Sequence, residues 1–157
     1  MSADKKLTEL ESQGLELPPA PKSVGVYKPA LVVGTLLYTS GHLPLTTDGG
    51  IITGCVGKEA DKQAGYEAAK QSGLAILATL KKELGSLDKV KRVVKIFGLV
   101  NCTSEFTGQP GVINGCSELM REIFGEDHGV GTRSAVGTNS LPLGAMVEIE
   151  AIFELNN

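Results

Sequence analysis

From Lys58 to Leu84 the apolar residues Ala64, Ala68, Leu74, Leu77 and Leu84 recur near helical spacing among Lys, Glu and Gln. A short turn later, VVKIFGLVNC (93–102) changes to a period of two, and both of its alternating faces are largely apolar. This neighbouring pair constrains the fold more than any other feature. The apolar face of the helix needs a sheet to lie on, and a strand apolar on both sides must be covered twice.

The remaining elements follow from the same two periods. Residues 4–13 carry Leu7 and Leu10 at helical spacing, and Gly14 with LPPAP at 17–21 stops that helix. ALVVGTLLYTS (30–40) reads as a hairpin or a bent strand pair around Gly34, followed by a glycine-rich loop with a turn at Asp48–Gly50. Within 93–100, Val93, Lys95, Phe97 and Leu99 are expected on one face and Val94, Ile96, Gly98 and Val100 on the other. A loop through Gln109–Gly111 leads to a second helix over 112–124, with Ile113, Leu119, Met120 and Ile123 as its buried stripe. Strands at 131–137 and 145–155 close the chain; in the last, Val147, Ile149, Ala151 and Phe153 alternate with a mixed face.

The order is β-β-α-β-α-β-β, which predicts an α+β fold: a two-layer sheet with both helices on one face. At 157 residues and 41% hydrophobic the chain suffices for one domain, 1–157, with 1–21 as an N-terminal helix and connector. Two helices cover one face only, so Tyr38 with Phe97 and Leu99 or their neighbours would leave the other face wet. Self-association into a closed ring, sheets inward, would bury it and create clefts between subunits.

Charge narrows the partners. Fifteen basic against eighteen acidic residues give a net charge of −3 without a long run of one sign, so no nucleic-acid footprint is expected. No apolar run approaches the roughly 18 residues of a membrane span. Cys55, Cys102 and Cys116 are odd in number and lack metal-ligand spacing, which points to free thiols in a reducing, cytoplasmic setting. TTDGG lacks the following helix and lysine of a phosphate cradle. His42 and Tyr38 read as structural residues.

The chemistry is concentrated in TRSAVGTNSLPLGAMVEIEAIFEL (132–155), which sets Arg133 and Glu148 among small or apolar neighbours on two strands joined by a Pro/Gly loop. A guanidinium fork matches a carboxylate, and a glutamate in partly apolar surroundings can move a proton near neutral pH. Together they suggest work on a small carboxylic acid. From pattern alone, a structural cross-strand pair remains an alternative.

The run RSAVGTNSLPLGAMVEIEAI, with YTSGHLPL at 38–45, SLDKVKRVVK at 86–95 and LPPAPKSVGVY at 17–27, resembles the Rid/YjgF family. These are the reactive-intermediate deaminases, also called L-PSP endoribonucleases, and the likeness is to a longer-chain branch with an N-terminal helix. The resemblance implies a chorismate-mutase-like fold assembled as a homotrimer, and hydrolysis of 2-imino acids or their enamines to 2-keto acids and ammonia without cofactor or metal. It implies that Arg133 binds the substrate carboxylate and Glu148 orients the attacking water. By the same likeness Tyr27, Ser40, Gly41 and Asn114 line the site. Ala135 stands where many members have cysteine, in a largely backbone role. The loop across 104–112 is longer than in short-chain members and bears on substrate range. The alternatives are a trimeric small-carboxylate-binding module without turnover and, less favoured by the charge balance, an endoribonuclease.

Overall fold

The protein is described by a computed structural model covering residues 1–157. Four helices, α1 (Ala3–Ser12), α2 (Lys62–Leu84), α3 (Gln109–Phe124) and the single turn α4 (Glu126–Gly129), accompany one five-stranded sheet. Its strands are β1 (Ala30–Val33), β2 (Leu36–Thr39), β3 (Val90–Asn101), β4 (Thr132–Thr138) and β5 (Val147–Leu155). They are ordered β1-β2-β5-β3-β4, antiparallel throughout except for the parallel pair β3–β4. The fold is mixed α+β, as the alternation of periods predicts.

Both long helices lie on the same face. Gly98 of β3 stands opposite Ile149 of β5 and points at Ile113 of α3. His42 bridges to that same Ile149 and meets Thr79 of α2. Between this face and the helices lies a core of 27 buried residues, from Leu7 in α1 to Phe153 in β5. At about 25 cal/mol per Å2 of apolar surface removed from water, this layer supplies most of the favourable folding energy. The helices approach closely at Gly115, where a Cβ would stand 2.0 Å from the Tyr66 carbonyl oxygen, so α2 and α3 touch backbone to backbone. Asp4 fastens α1 by accepting from the Ser86 hydroxyl at 2.5 Å and the Leu87 N–H at 3.2 Å.

Several boundaries and facings differ from expectation. The first long helix starts at Lys62 rather than 58, because Asp61 caps it by accepting from the Ala64 N–H at 2.8 Å. The second begins at Gln109 rather than 112, since Pro110 fits the first helical turn, where its missing N–H costs nothing. In β3, register shifts at Val90/Arg92 and Val93/Lys95 turn Val93 onto the buried face with Ile96 and Val100. Strict alternation predicts Val93 on the face of Phe97. The last two strands, joined by the Pro/Gly loop, are not neighbours in the sheet: β3 lies between β4 and β5.

The face away from the helices is apolar yet uncovered within the chain. Leu31, Val33, Tyr38 and Val136 are 50%, 57%, 42% and 40% exposed, with Phe97, Leu99 and Ile152 half-buried beside them. No helix of the protein is long and apolar enough to cross a membrane.

Candidate functional site

In-register partners share a face, so the pairing of Arg133 with Ile96, a core residue, turns the arginine toward the helices. Glu148 pairs with Leu99 and Glu150 with Phe97, on the opposite, open face. Arg133 and Glu148 therefore stand two strands apart and on opposite sides of the sheet. The expectation that two joined strands bring them together fails for one chain, because the Pro/Gly loop carries the backbone across β3.

The helix side gathers the first cluster. The Arg133 Nη1 donates to Asn114 Oδ1 at 2.7 Å and to Ser117 Oγ at 3.2 Å, both on α3. No carboxylate pairs with Arg133. The guanidinium is held on one nitrogen by neutral acceptors, and its other donors remain for a ligand. It lines a hollow of about 370 Å3 between α3 and the start of β4, which Arg121 and Thr132 also line. Cys116, fully buried beneath, has its thiol pushed up to about 12 by burial, with the positive charge of Arg133 opposing. Ala135 follows two residues on, partly buried against the core and on the edge strand, whose outer side has no partner strand.

The open side gathers the second cluster. Glu148 reaches over Gly41 so closely that a Cβ there would stand 2.1 Å from its Oε1, so the carboxylate occupies space that only glycine leaves. Burial, followed by the charge of Glu150, raises the Glu148 pKa. Glu148, Glu150, Gly41, Phe97 and Leu99 line a hollow of about 120 Å3. The adjoining Ser40 is structural in its contacts: its hydroxyl donates to Lys28 O at 2.6 Å and its N–H to Pro29 O at 2.9 Å. Those bonds fix the segment carrying Tyr27, which is 48% exposed and whose hydroxyl accepts weakly from the Val24 N–H at 3.4 Å. Tyr27, Ser40, Gly41 and Glu148 thus belong to one neighbourhood, and Arg133, Asn114 and Ala135 to another.

His42, beside Gly41, is 3% exposed. Its Nδ1 lies 2.7 Å from the Ser40 carbonyl and its Nε2 2.7 Å from Thr79 Oγ1, which fixes the neutral ring with Nδ1–H donating. Burial lowers its pKa, with the Ser40 carbonyl bond opposing. It is a satisfied core histidine. No group of three or more His, Cys, Asp or Glu side chains stands together as a metal site.

Ser117 joins the cluster although no motif in the sequence marks it. The signal was available, since a residue three positions beyond Asn114 shares its helical face. The long loop at 104–112 packs at two places: a Cβ on Gly57 would stand 3.4 Å from Phe106, and one on Gly137 of β4 would stand 2.9 Å from Gln109 Nε2. Its last residues belong to the first turn of α3.

The family model described as "YjgF/chorismate mutase-like, putative endoribonuclease" matches residues 8–155. Protein TCP17 of Trypanosoma cruzi is 38% identical over 157 residues, 100% of this chain and 98% of its own. A solved structure of a protein of unknown function from Agrobacterium tumefaciens is 41% identical with a TM-score of 0.87, covering 98% of this chain and 94% of that one. A second, from Shewanella oneidensis and bearing the same endoribonuclease designation as the family, gives a TM-score of 0.91 at 29% identity over 99% and 100% of the two chains.

Proposed function

We propose, from the premise that the chain belongs to the YjgF/chorismate-mutase-like family, that it hydrolyses 2-imino acids and their enamine tautomers to 2-keto acids and ammonia. The observation that carries this reading is Arg133: a guanidinium with neutral partners only, in the wall of a hollow, suited to receive a ligand's carboxylate. An imine carbon is already electrophilic, so catalysis needs a held substrate and a placed water rather than a nucleophilic side chain. Water attacks C2; its oxygen becomes the keto oxygen after its protons pass to nitrogen, and the C–N bond breaks to release ammonia. Glu148, its pKa raised, takes up and returns the proton.

Because Arg133 and Glu148 face opposite sides of one sheet, a site using both is built between copies. We assign Arg133, Asn114, Ser117 and the Ala135 backbone from one copy, and Glu148, Gly41, Ser40 and Tyr27 from its neighbour, in a homotrimer whose open faces turn inward. The apolar residues of that face are the support for such an assembly.

The endoribonuclease designation of the family supplies a second reading. Against it stand the net charge of −3, the open carboxylates Glu148 and Glu150, and the want of a paired histidine acid and base, since His42 is buried and only His128 is exposed. A coupled assay decides. Imine generated by a serine or threonine dehydratase should disappear faster in the presence of the protein than by uncatalysed hydrolysis. Arg133→Ala should weaken binding and turnover together by about 1.5 to 3 kcal/mol, whereas Glu148→Gln should keep 2-keto acid binding and lose roughly 10²-fold in rate. Wild type no faster than background on any imino acid sinks the enzyme; RNA cleavage abolished by either substitution would restore the alternative.

A further inference from the structure

We propose, resting on the carboxylate role of Arg133 above, that the site takes an acid with a second carboxylate, held by Arg121. The residues Asn114, Ser117 and Arg121 fall at i, i+3 and i+7 of α3 and so form one stripe along its length. A helix packed beside a sheet usually carries apolar residues where it faces a strand. In α3 that apolar stripe is present, from Val112 to Ile123, and the polar stripe lies on the flank beside it, where with Thr132 and Arg133 it walls a hollow of about 370 Å3 over Ile96.

Within this hollow two arginines stand against one glutamate, while on its other side Arg121 also borders Glu118, Glu122 and Glu126. Arg133 has no acidic partner, and the acidic contact of Arg121 is an Nε to Glu126 Oε2 approach of 3.8 Å between side chains 50% and 78% exposed. Such a pair contributes little and is readily exchanged for a ligand. The one carboxylate in the wall, Glu118, accepts the hydroxyl hydrogen of Tyr66 on α2, and that bond pushes the Tyr66 hydroxyl up to about 12. Its charge is turned toward α2. Two guanidiniums share one hollow with a single engaged carboxylate, an arrangement that suits a dianion. A three- or four-carbon monocarboxylate held at Arg133 leaves most of this volume unfilled, whereas a five-carbon dicarboxylate extends along the stripe.

The test compares two 2-keto acids of equal chain length, 2-oxoglutarate and 2-oxopentanoate, by titration calorimetry on the intact protein. Wild type should bind 2-oxoglutarate about tenfold more tightly. Arg121→Gln should remove that preference and leave 2-oxopentanoate unchanged, while Glu126→Gln, which frees Arg121, should enlarge it. Arg133→Ala should weaken both acids. Equal affinities in wild type, or a preference that survives Arg121→Gln, overturns the second subsite and leaves the carboxylate reading standing. Failure of both acids to bind wild type overturns that reading and this inference together.

Discussion

The two faces of the sheet are made by alternate residues of the same strands, yet they end in different states. On one, Ile96, Val100, Ile149 and Phe153 are buried under α2 and α3. On the other, Phe97, Leu99, Ile152 and Tyr38 stand half-buried or exposed around the carboxylates Glu148 and Glu150. The first face is finished by the chain itself, so its packing is a property of each subunit. The second is left uncovered by the chain. The proposed site is split along the same division, with Arg133, the proposed carboxylate anchor, on the covered side and Glu148, the proposed proton-handling group, on the open one. On the proposed function, chemistry would depend on association between copies, while the covered core is complete within one chain.

The largest effect should come from the finished side. Gly115→Ala places a Cβ against the Tyr66 carbonyl, and neither backbone can give way cheaply, so stability should drop by about 3 kcal/mol or more. Urea unfolding measures it; a loss below about 1 kcal/mol would mean that α2 and α3 separate freely.

On the open side the matching change is Leu99→Asp. It should leave the circular dichroism spectrum native while weakening self-association by roughly a hundredfold or more, since a buried unpaired carboxylate costs several kcal/mol. Sedimentation equilibrium reads the outcome. A variant that unfolds instead shows that the two faces are not independent.

Gly41→Ala sharpens the division within the site. The new methyl group meets the flexible end of Glu148, so the carboxylate moves aside rather than the fold breaking. Turnover should fall about tenfold or more through misplacement, with carboxylate binding at Arg133 and thermal stability both retained. Loss of binding to the same degree as turnover would place Gly41 on the wrong side of the division.

The smallest effect concerns pH. The Glu148 pKa is raised in the folded protein, so its ionisation works against folding; the protonated form's advantage is full below the unfolded glutamate pKa and lost as pH rises through the folded one. Glu148→Gln should therefore give a slightly higher Tm than wild type at neutral pH, and the gap should close as the solution is acidified below the ordinary glutamate range. A gap independent of pH would trace the effect to packing, not charge.

Much of this organisation was legible in the sequence. The helical period from Lys58 on and the two-residue period of 147–153 each repeat within a dozen residues, and local sterics suffice to read them. The same alternation put Glu148 opposite Val147 and Ile149, hence on the mixed face where it lies. Two kinds of feature resisted. Bulges in β3 shift the alternation without any glycine or proline to announce them, so strict alternation puts Val93 on the wrong side. The strand TRSAVGT has no alternation at all, so nothing local tells which way Arg133 points.

The period of each segment, the order of the elements, the shortage of helix to cover a two-faced sheet, and the identity of the charged residues all follow from the chain read in order, since each depends on neighbours a few positions away. The insertion of β3 between β4 and β5, the parallel register of Ile96 with Arg133, and the consequent separation of Arg133 from Glu148 are set by pairings between residues far apart in sequence. A shift of one residue in such a pairing exchanges the two faces of a strand. Only packing against the helices, with Asn114 and Ser117 there to receive the guanidinium, selects the register that turns Arg133 inward.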